Sequence, residues 1–221
     1  TELKQGDEGY DSGMEKAYTY LKTGRDKYPE DISLLFAEIN HYLTTGRLDE
    51  LIGKLKKAID KEPDNKSLYS TLGNVYDNLY QKEYTAGNVE KANEYFNSAL
   101  EYYNKATEKD PTFVDAIYSI GALYYNKAAS MTQELNKLAD DYSKEGLKKY
   151  DAKKAEMFAQ FDEALPWFKK AESLNPNDIN TLIALKEIFA RKDDLATAKE
   201  ITTRLETVQG GGKNASSYFK E

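Results

Sequence analysis

Pro63-Asp64-Asn65-Lys66-Ser67-Leu68-Tyr69-Ser70-Thr71-Leu72-Gly73-Asn74-Val75-Tyr76 is the stretch on which the fold turns. Proline stops the helix before it and fits the first turn of the next. Asp64 or Asn65 beside it can cap that next helix. Tyr69, Leu72 and Tyr76 recur at helical spacing, and Gly73 lets a second helix approach closely. The phrase is not alone. Lys27-Tyr28-Pro29-Glu30-Asp31, Lys61-Glu62-Pro63-Asp64-Asn65, Lys109-Asp110-Pro111-Thr112-Phe113 and Leu174-Asn175-Pro176-Asn177-Asp178 each follow one apolar-periodic helix and precede another. Pro29 and Pro63 stand 34 residues apart.

The interior of each interval repeats as well. Tyr69-x2-Leu72-Gly73-x2-Tyr76 is answered by Ala99-x3-Tyr103 and Pro111. Ile117-x2-Ile120-Gly121-x2-Tyr124 is answered by Ala164-x3-Phe168 and Pro176. Weaker copies are Leu35, Ile39 and Tyr42 with Leu51, Leu55, Ala58 and Pro63, and Leu182, Leu185 and Phe189 with Ala198. Residue type, spacing and period together resemble the tetratricopeptide repeat (TPR) family, whose unit is a helix pair of about 34 residues. The resemblance implies an all-α, right-handed TPR-like superhelix of antiparallel helix pairs. Tyr42, Tyr76, Tyr124 and Phe189 would fill the space within pairs. Ala58, Ala106 and Ala171 would let the next repeat stack.

The register breaks twice. Pro63 to Pro111 spans 48 residues, 14 more than the repeat, and Pro111 to Pro176 spans 65, 31 more. Fourteen residues are two heptads, one for each helix of a pair, so both helices should lengthen by about two turns, ~10 Å. Their turn falls at Thr85-Ala86-Gly87-Asn88. In the larger insertion Ala128, Met131, Leu135, Leu138 and Tyr142 recur at coiled-coil spacing, answered by Leu147, Tyr150, Phe158, Phe161, Leu165 and Phe168. Two elongated central hairpins are therefore expected, the second reversing near Tyr142–Gly146. Ile120-Gly121-Ala122-Leu123-Tyr124-Tyr125-Asn126-Lys127-Ala128 with Ala164-Leu165-Pro166-Trp167 resembles bacterial TPR proteins with long central helices. Many of those are exported, which implies a periplasmic or cell-envelope location rather than a cytoplasmic one. The expected organisation is a tail over 1–10 and one TPR domain over 11–208. It divides into a half-repeat at 11–30 and repeats at 31–63, 64–111, 112–176 and 177–208. Residues 209–221 form a polar, flexible tail after Gly210-Gly211-Gly212.

Composition narrows the function. The 221 residues carry a formal charge of -7, which disfavours nucleic-acid backbones and anionic membranes. No run approaches the ~20 apolar residues of a membrane span. The chain has no cysteine, so disulfides, thiolate metal sites and a cysteine nucleophile are excluded. His41, the single histidine, has no partners spaced for metal or acid–base chemistry and is expected on a helix surface. Asp140-Asp141 lacks the spacing of a calcium loop. Gly210-Gly211-Gly212-Lys213 lacks the Ser/Thr and the preceding strand of a phosphate loop. No enzyme, cofactor or metal site is expected.

In TPR proteins the first helix of each pair lines a concave groove. The resemblance places there Ser33, Phe36, Asn40, Leu43 and Thr44; Ser67, Ser70, Asn74, Asp77 and Asn78; Asp115, Tyr118, Ala122, Tyr125 and Asn126; and Asn180, Ile183, Glu187, Ala190 and Arg191. An Asn amide donates and accepts at once, which suits a peptide backbone, and Tyr joins apolar area to a polar tip. Asn40, Asn74, Asn78, Tyr118, Tyr125, Asn126, Glu187 and Arg191 are the expected partner-binding residues. Asn40 and Asn74 resemble two positions of the carboxylate clamp of chaperone-binding TPRs. Phe36 and Asp115 replace its basic members, so that clamp is not expected. The expected function is a protein–protein scaffold that binds a peptide or protein, without nucleic acid or membrane insertion. The alternative is self-association through the projecting hairpins.

Overall fold

A computed structural model describes residues 8–29 and 31–219, apart from the side chains of residues 32, 35, 36, 39, 40, 43 and 49. All regular secondary structure among them is helical. The chain divides into two compact units, Thr1–Pro63 and Asp64–Glu221.

The first unit holds α1 (Tyr10–Lys27), α2 (Ile32–Thr45) and α3 (Leu48–Lys61). Asp31 accepts from the Leu34 amide at 3.1 Å at the start of α2. Gly46, at φ +70°, makes the tight turn into α3. Tyr42 is fully buried with Leu51 and Leu55. His41 is buried too, contrary to its expected surface position, because α1 lies over it: the Tyr18 ring stacks on the imidazole at 5.1 Å. Neither of its ring nitrogens has a hydrogen-bond partner among the described residues. Glu38 is buried beside it, paired with Lys54 and, at 3.6 Å, with Arg25.

The second unit begins with α4 (Lys66–Thr85) and α5 (Val89–Lys109). These run 20 and 21 residues, against 14 and 14 for α2 and α3, so the insertion does lengthen both helices. Gly87, at φ +81°, makes the turn between them. Asn65 caps α4 by accepting from the Ser67 amide. Lys66 pairs with Asp110, and Lys109 meets Asp64 at 2.8 Å, which clasps the open end of the pair. The Lys66 ammonium and the Thr112 hydroxyl and amide hold the Asp110 carboxyl down at about 2.

Gly73 and Gly121 explain how the pairs close. A Cβ on Gly73 would lie 2.5 Å from the Tyr103 ring, and one on Gly121 3.1 Å from the Phe168 ring. Each glycine of the Leu/Ile-Gly motif thus receives the aromatic ring of the returning helix. Ala99, Ala106, Ala164 and Ala171 are fully buried along the same seams, and Ala58 is half-buried.

The larger insertion departs from a plain two-helix coil. α6 (Val114–Ser130) stops at Met131, where an i→i+3 bond from Met131 N to Ala128 O tightens the turn. α7 (Thr132–Leu138) continues briefly, and α8 (Lys144–Leu174) returns, capped by Ser143, which accepts from the Gly146 amide at 3.0 Å. Ala128, Met131, Leu135, Met157 and Phe161 form the buried seam. Tyr142 and Leu147 were expected in it but stand 82% and 51% exposed. With α7 ending at Leu138, no facing helix reaches them. α9 (Ile179–Arg191) and α10 (Leu195–Gln209) complete the unit, capped by Asp178 and Asp194.

The residues after α10 correct the expectation of a flexible tail. Gly211, at φ +84°, turns the chain, and residues 214–219 pack back against the unit. Residues 220 and 221 lie outside the described residues.

Two predictions follow from these contacts. Gly73→Ala should lower stability by ~1–3 kcal/mol through overpacking on Tyr103, seen as a fall in melting temperature of ~2–4 °C per kcal/mol. Gly121→Leu should do the same, whereas Gly121→Ala, at 3.1 Å, should cost less than either. In the first unit, burial and then the Arg47 guanidinium hold His41 below its ordinary value of 6.5, against Glu15 and Glu38. The unfolded chain therefore takes up the proton first. Stability from neutral His41 is full above about pH 6.5 and is lost as the pH falls toward the lowered value. Thermal melts at about pH 7.5 and about pH 5 should show a larger loss on acidification for wild type than for His41→Phe.

Candidate functional site

The expected groove residues of the second unit lie on α4, α6 and α9, the first helices of its pairs. The structure sorts them by what they already touch. Asn74 is exposed, but its Oδ1 accepts from the buried Tyr103 hydroxyl at 2.7 Å. Asn78 is exposed one turn on, and its amide donates to the Asn74 carbonyl at 2.7 Å. Ser70 is buried, so it belongs to the helix contact rather than to the surface. Asn40 lies on α2 of the first unit, and its side chain is outside the described residues.

Tyr118, Tyr125 and Asn126 form the centre of the face. The Tyr118 ring stands edge-on to Phe168 at 5.6 Å, and Tyr125 packs on Phe161 at 5.4 Å. Both tyrosines are half-buried, and burial pushes both phenols up. For Tyr125 the Glu187 carboxylate adds to the rise, while Arg191 opposes it. The Arg191 guanidinium also sits 5.6 Å from the Phe161 ring. Glu187 and Arg191 therefore both lie near Tyr125. At neutral pH the phenols are protonated and able to donate.

Two recesses open on this face. One, of about 190 Å³, lies among Tyr118, Tyr125, Asn126, Phe168, Asn180 and Ile183. Its aromatic floor is Phe168, the ring that fills the Gly121 crossing. The other, of about 240 Å³, is lined by Tyr80, Gln81, Tyr84, Thr85, Asn126 and Ser130. Burial raises the Tyr80 phenol to about 12. Asn126 belongs to both. Apart from Asn126, the second recess lies beyond the groove positions that the resemblance implies, which end on α4 at Asn78, where the first helix of an ordinary repeat stops. The signal was the 14-residue excess, which carries α4 out to Tyr84 and Thr85. Asn180 and Ile183 are groove positions implied by the resemblance but not among the expected partner-binding residues.

Among the described residues no group of three or more His, Cys, Asp and Glu is placed to hold a metal ion. No helix among them is long and apolar enough to cross a membrane.

No protein-family model matches this chain, and no curated protein matches it in sequence. Solved structures do match its fold. MamA, a TPR-type protein, is 15% identical, with 96% of this chain and 98% of that chain covered and a TM-score of 0.55. A MamA fragment running from residue 41 to the end, from Desulfovibrio magneticus RS-1, is 17% identical over 92% and 90%, with a TM-score of 0.55. A MamA RS-1 double mutant gives 17% identity over 91% and 88%, with a TM-score of 0.56.

The hydrogen bonds predict which groove residues are structural. Asn74→Ala unpairs the buried Tyr103 hydroxyl and should cost ~1–3 kcal/mol in a denaturant melt. Asn126→Ala should stay within ~0.5 kcal/mol of wild type, as expected of a surface change.

Proposed function

We infer a protein-interaction scaffold in general from the all-α, TPR-like fold. We propose that this chain is a non-catalytic scaffold whose α4–α6–α9 face binds an extended segment of a protein partner. The observation that carries the reading is the pair of recesses meeting at Asn126. Side chains of an extended peptide recur about every 6.6–6.8 Å on one face, so two adjoining recesses suit alternate residues of one segment. Apolar side chains would enter between Tyr118 and Ile183, and Asn126 would meet the backbone between them. Asn74, Asn78, Tyr118, Tyr125, Asn126, Glu187 and Arg191 are the proposed contact residues of this face, with Tyr84 and Ile183 added. Asn74 acts chiefly by holding Tyr103. The resemblance to exported TPR proteins carries the further reading that the partner belongs to a bacterial periplasmic assembly.

A second reading is favoured by one observation, the exposed Tyr142 and Leu147 at the turn between α7 and α8. Two such apolar side chains on a projecting tip suit association of copies.

Peptides selected by display on the purified chain separate the two. Asn126→Ala with Ile183→Ala changes two side chains that are not fully buried, and should weaken selected peptides by ~2–4 kcal/mol with helicity unchanged. Tyr142→Glu with Leu147→Glu should leave peptide binding intact and alter sedimentation only if the tip associates. Selected peptides that bind the groove variant as well as wild type would remove the groove reading.

A further inference from the structure

The segment after α10 is held by a site that the repeat pattern does not call for. Its centre is Glu172, in the last turn of α8, whose side chain is fully buried. Arg204 Nη2, from α10, donates to Glu172 Oε1 at 2.8 Å. The Ser217 hydroxyl donates to Oε2 at 2.7 Å. The Tyr218 amide donates to both oxygens, at 2.9 and 3.1 Å, and the Phe219 amide to Oε2 at 3.2 Å. The Phe219 ring then stacks on Phe189 at 5.9 Å, with the Lys169 ammonium 5.2 Å from its centre. Upstream, the Asn214 side-chain amide donates to the Pro176 carbonyl at 2.8 Å, and its backbone amide donates to Asn177 Oδ1 at 2.7 Å.

These contacts have the chemistry of peptide capture. The carboxylate takes two successive backbone amides and one hydroxyl, which fixes direction and register. The ring slot selects an aromatic two residues after the hydroxyl. Removal of the segment would leave the Glu172 carboxylate with Arg204 as its remaining donor named above, a costly state for a buried charge. Gly210-Gly211-Gly212 joins the segment to α10 through a turn in which all three glycine amides donate back to carbonyls of α10, with Gly211 at φ +84°.

We propose that Glu172, Arg204 and Phe189 form a peptide-recognition site for an extended Ser-x-Phe segment, filled in cis by residues 217–219 and open in trans to a partner peptide of the same chemistry. This site stands apart from the α4–α6–α9 face, and its test does not depend on that reading. Such a short connection presents the tail at a local concentration on the order of millimolar or above. A free competitor therefore succeeds only where the tail is loosened or the competitor is concentrated nearby.

The test uses the full chain and a fluorescent synthetic peptide of residues 213–221. Ser217→Ala with Phe219→Ala should release the tail. The peptide should then bind the released variant at least about tenfold more tightly than it binds wild type, since tail and peptide no longer compete for one site. Adding Glu172→Gln should abolish that gain. In wild type, hydrogen exchange should show the Tyr218 and Phe219 amides protected, and Ser217→Ala alone should speed both by about tenfold or more, a loss of roughly one charge-assisted bond. The proposal is overturned if those amides exchange in wild type as fast as in the free peptide. It is equally overturned if the peptide binds the folded, released variant no better than wild type, or if Glu172→Gln leaves the gain unchanged.

Discussion

The second unit depends on a ring lying against a bare helix backbone. At Gly73 the Tyr103 ring occupies the space of a Cβ, and at Gly121 the Phe168 ring does so. Two helices that meet this way sit closer than side-chain interdigitation alone allows, and the aromatic is enclosed on all sides: Tyr103 and Phe168 are essentially without solvent exposure. The consequences reach the surface. The Tyr103 hydroxyl emerges under Asn74 and ties its amide. Phe168 supports Tyr118 and Tyr125 edge-on and forms the floor of one recess. The proposed binding face is thus the outer side of the same contacts that close the pairs, so its side chains are held in place by core packing before any partner arrives.

Lengthening the pairs changes what that face can offer. An ordinary repeat ends its first helix near the fifteenth residue past the proline. α4 and α6 run further, and their added turns bring Tyr80, Tyr84 and Ser130 around a second recess. The added length also has a limit. Beyond Leu138, where α7 ends, the seam gives way to exposed Tyr142 and Leu147. At that reversal a Cβ on Gly146 would collide with Asp141, so the turn as built requires glycine there.

In an acidic chain, two carboxylates among the described residues are nevertheless taken out of water. Glu38 meets Lys54 and Arg25, and Glu172 meets Arg204 and three donors from the tail. Buried ion pairs contribute little net stability against apolar packing, while losing one partner is costly. Their effect is therefore specificity: Glu38 orients α1 and α3 about α2, and Glu172 selects the path of the terminal segment.

Periodicity and punctuation are local properties, and they are what the sequence by itself determined here. Prolines at 29, 63, 111 and 176, the Gly–aromatic pairs and the length excesses of 14 and 31 residues were enough for the TPR-like fold, the lengthened helices and the assignment of the proposed contact residues of the second unit to α4, α6 and α9. Spacing shows which residues share a helix face, because the helical repeat is set by backbone geometry. It does not show which residues from distant helices meet. The burial of His41 under Tyr18, the use of Asn74 by Tyr103, and the shortened seam at Tyr142 all arise from such meetings. The docking of residues 214–219 is the clearest case. Residues 172, 189, 204 and 217–219 carry no motif in common, and the segment is polar and follows three glycines. Only the packed arrangement of α8, α9 and α10 brings a desolvated carboxylate and an aromatic slot together, and those supply the hydrogen bonds and stacking that such a segment cannot make for itself.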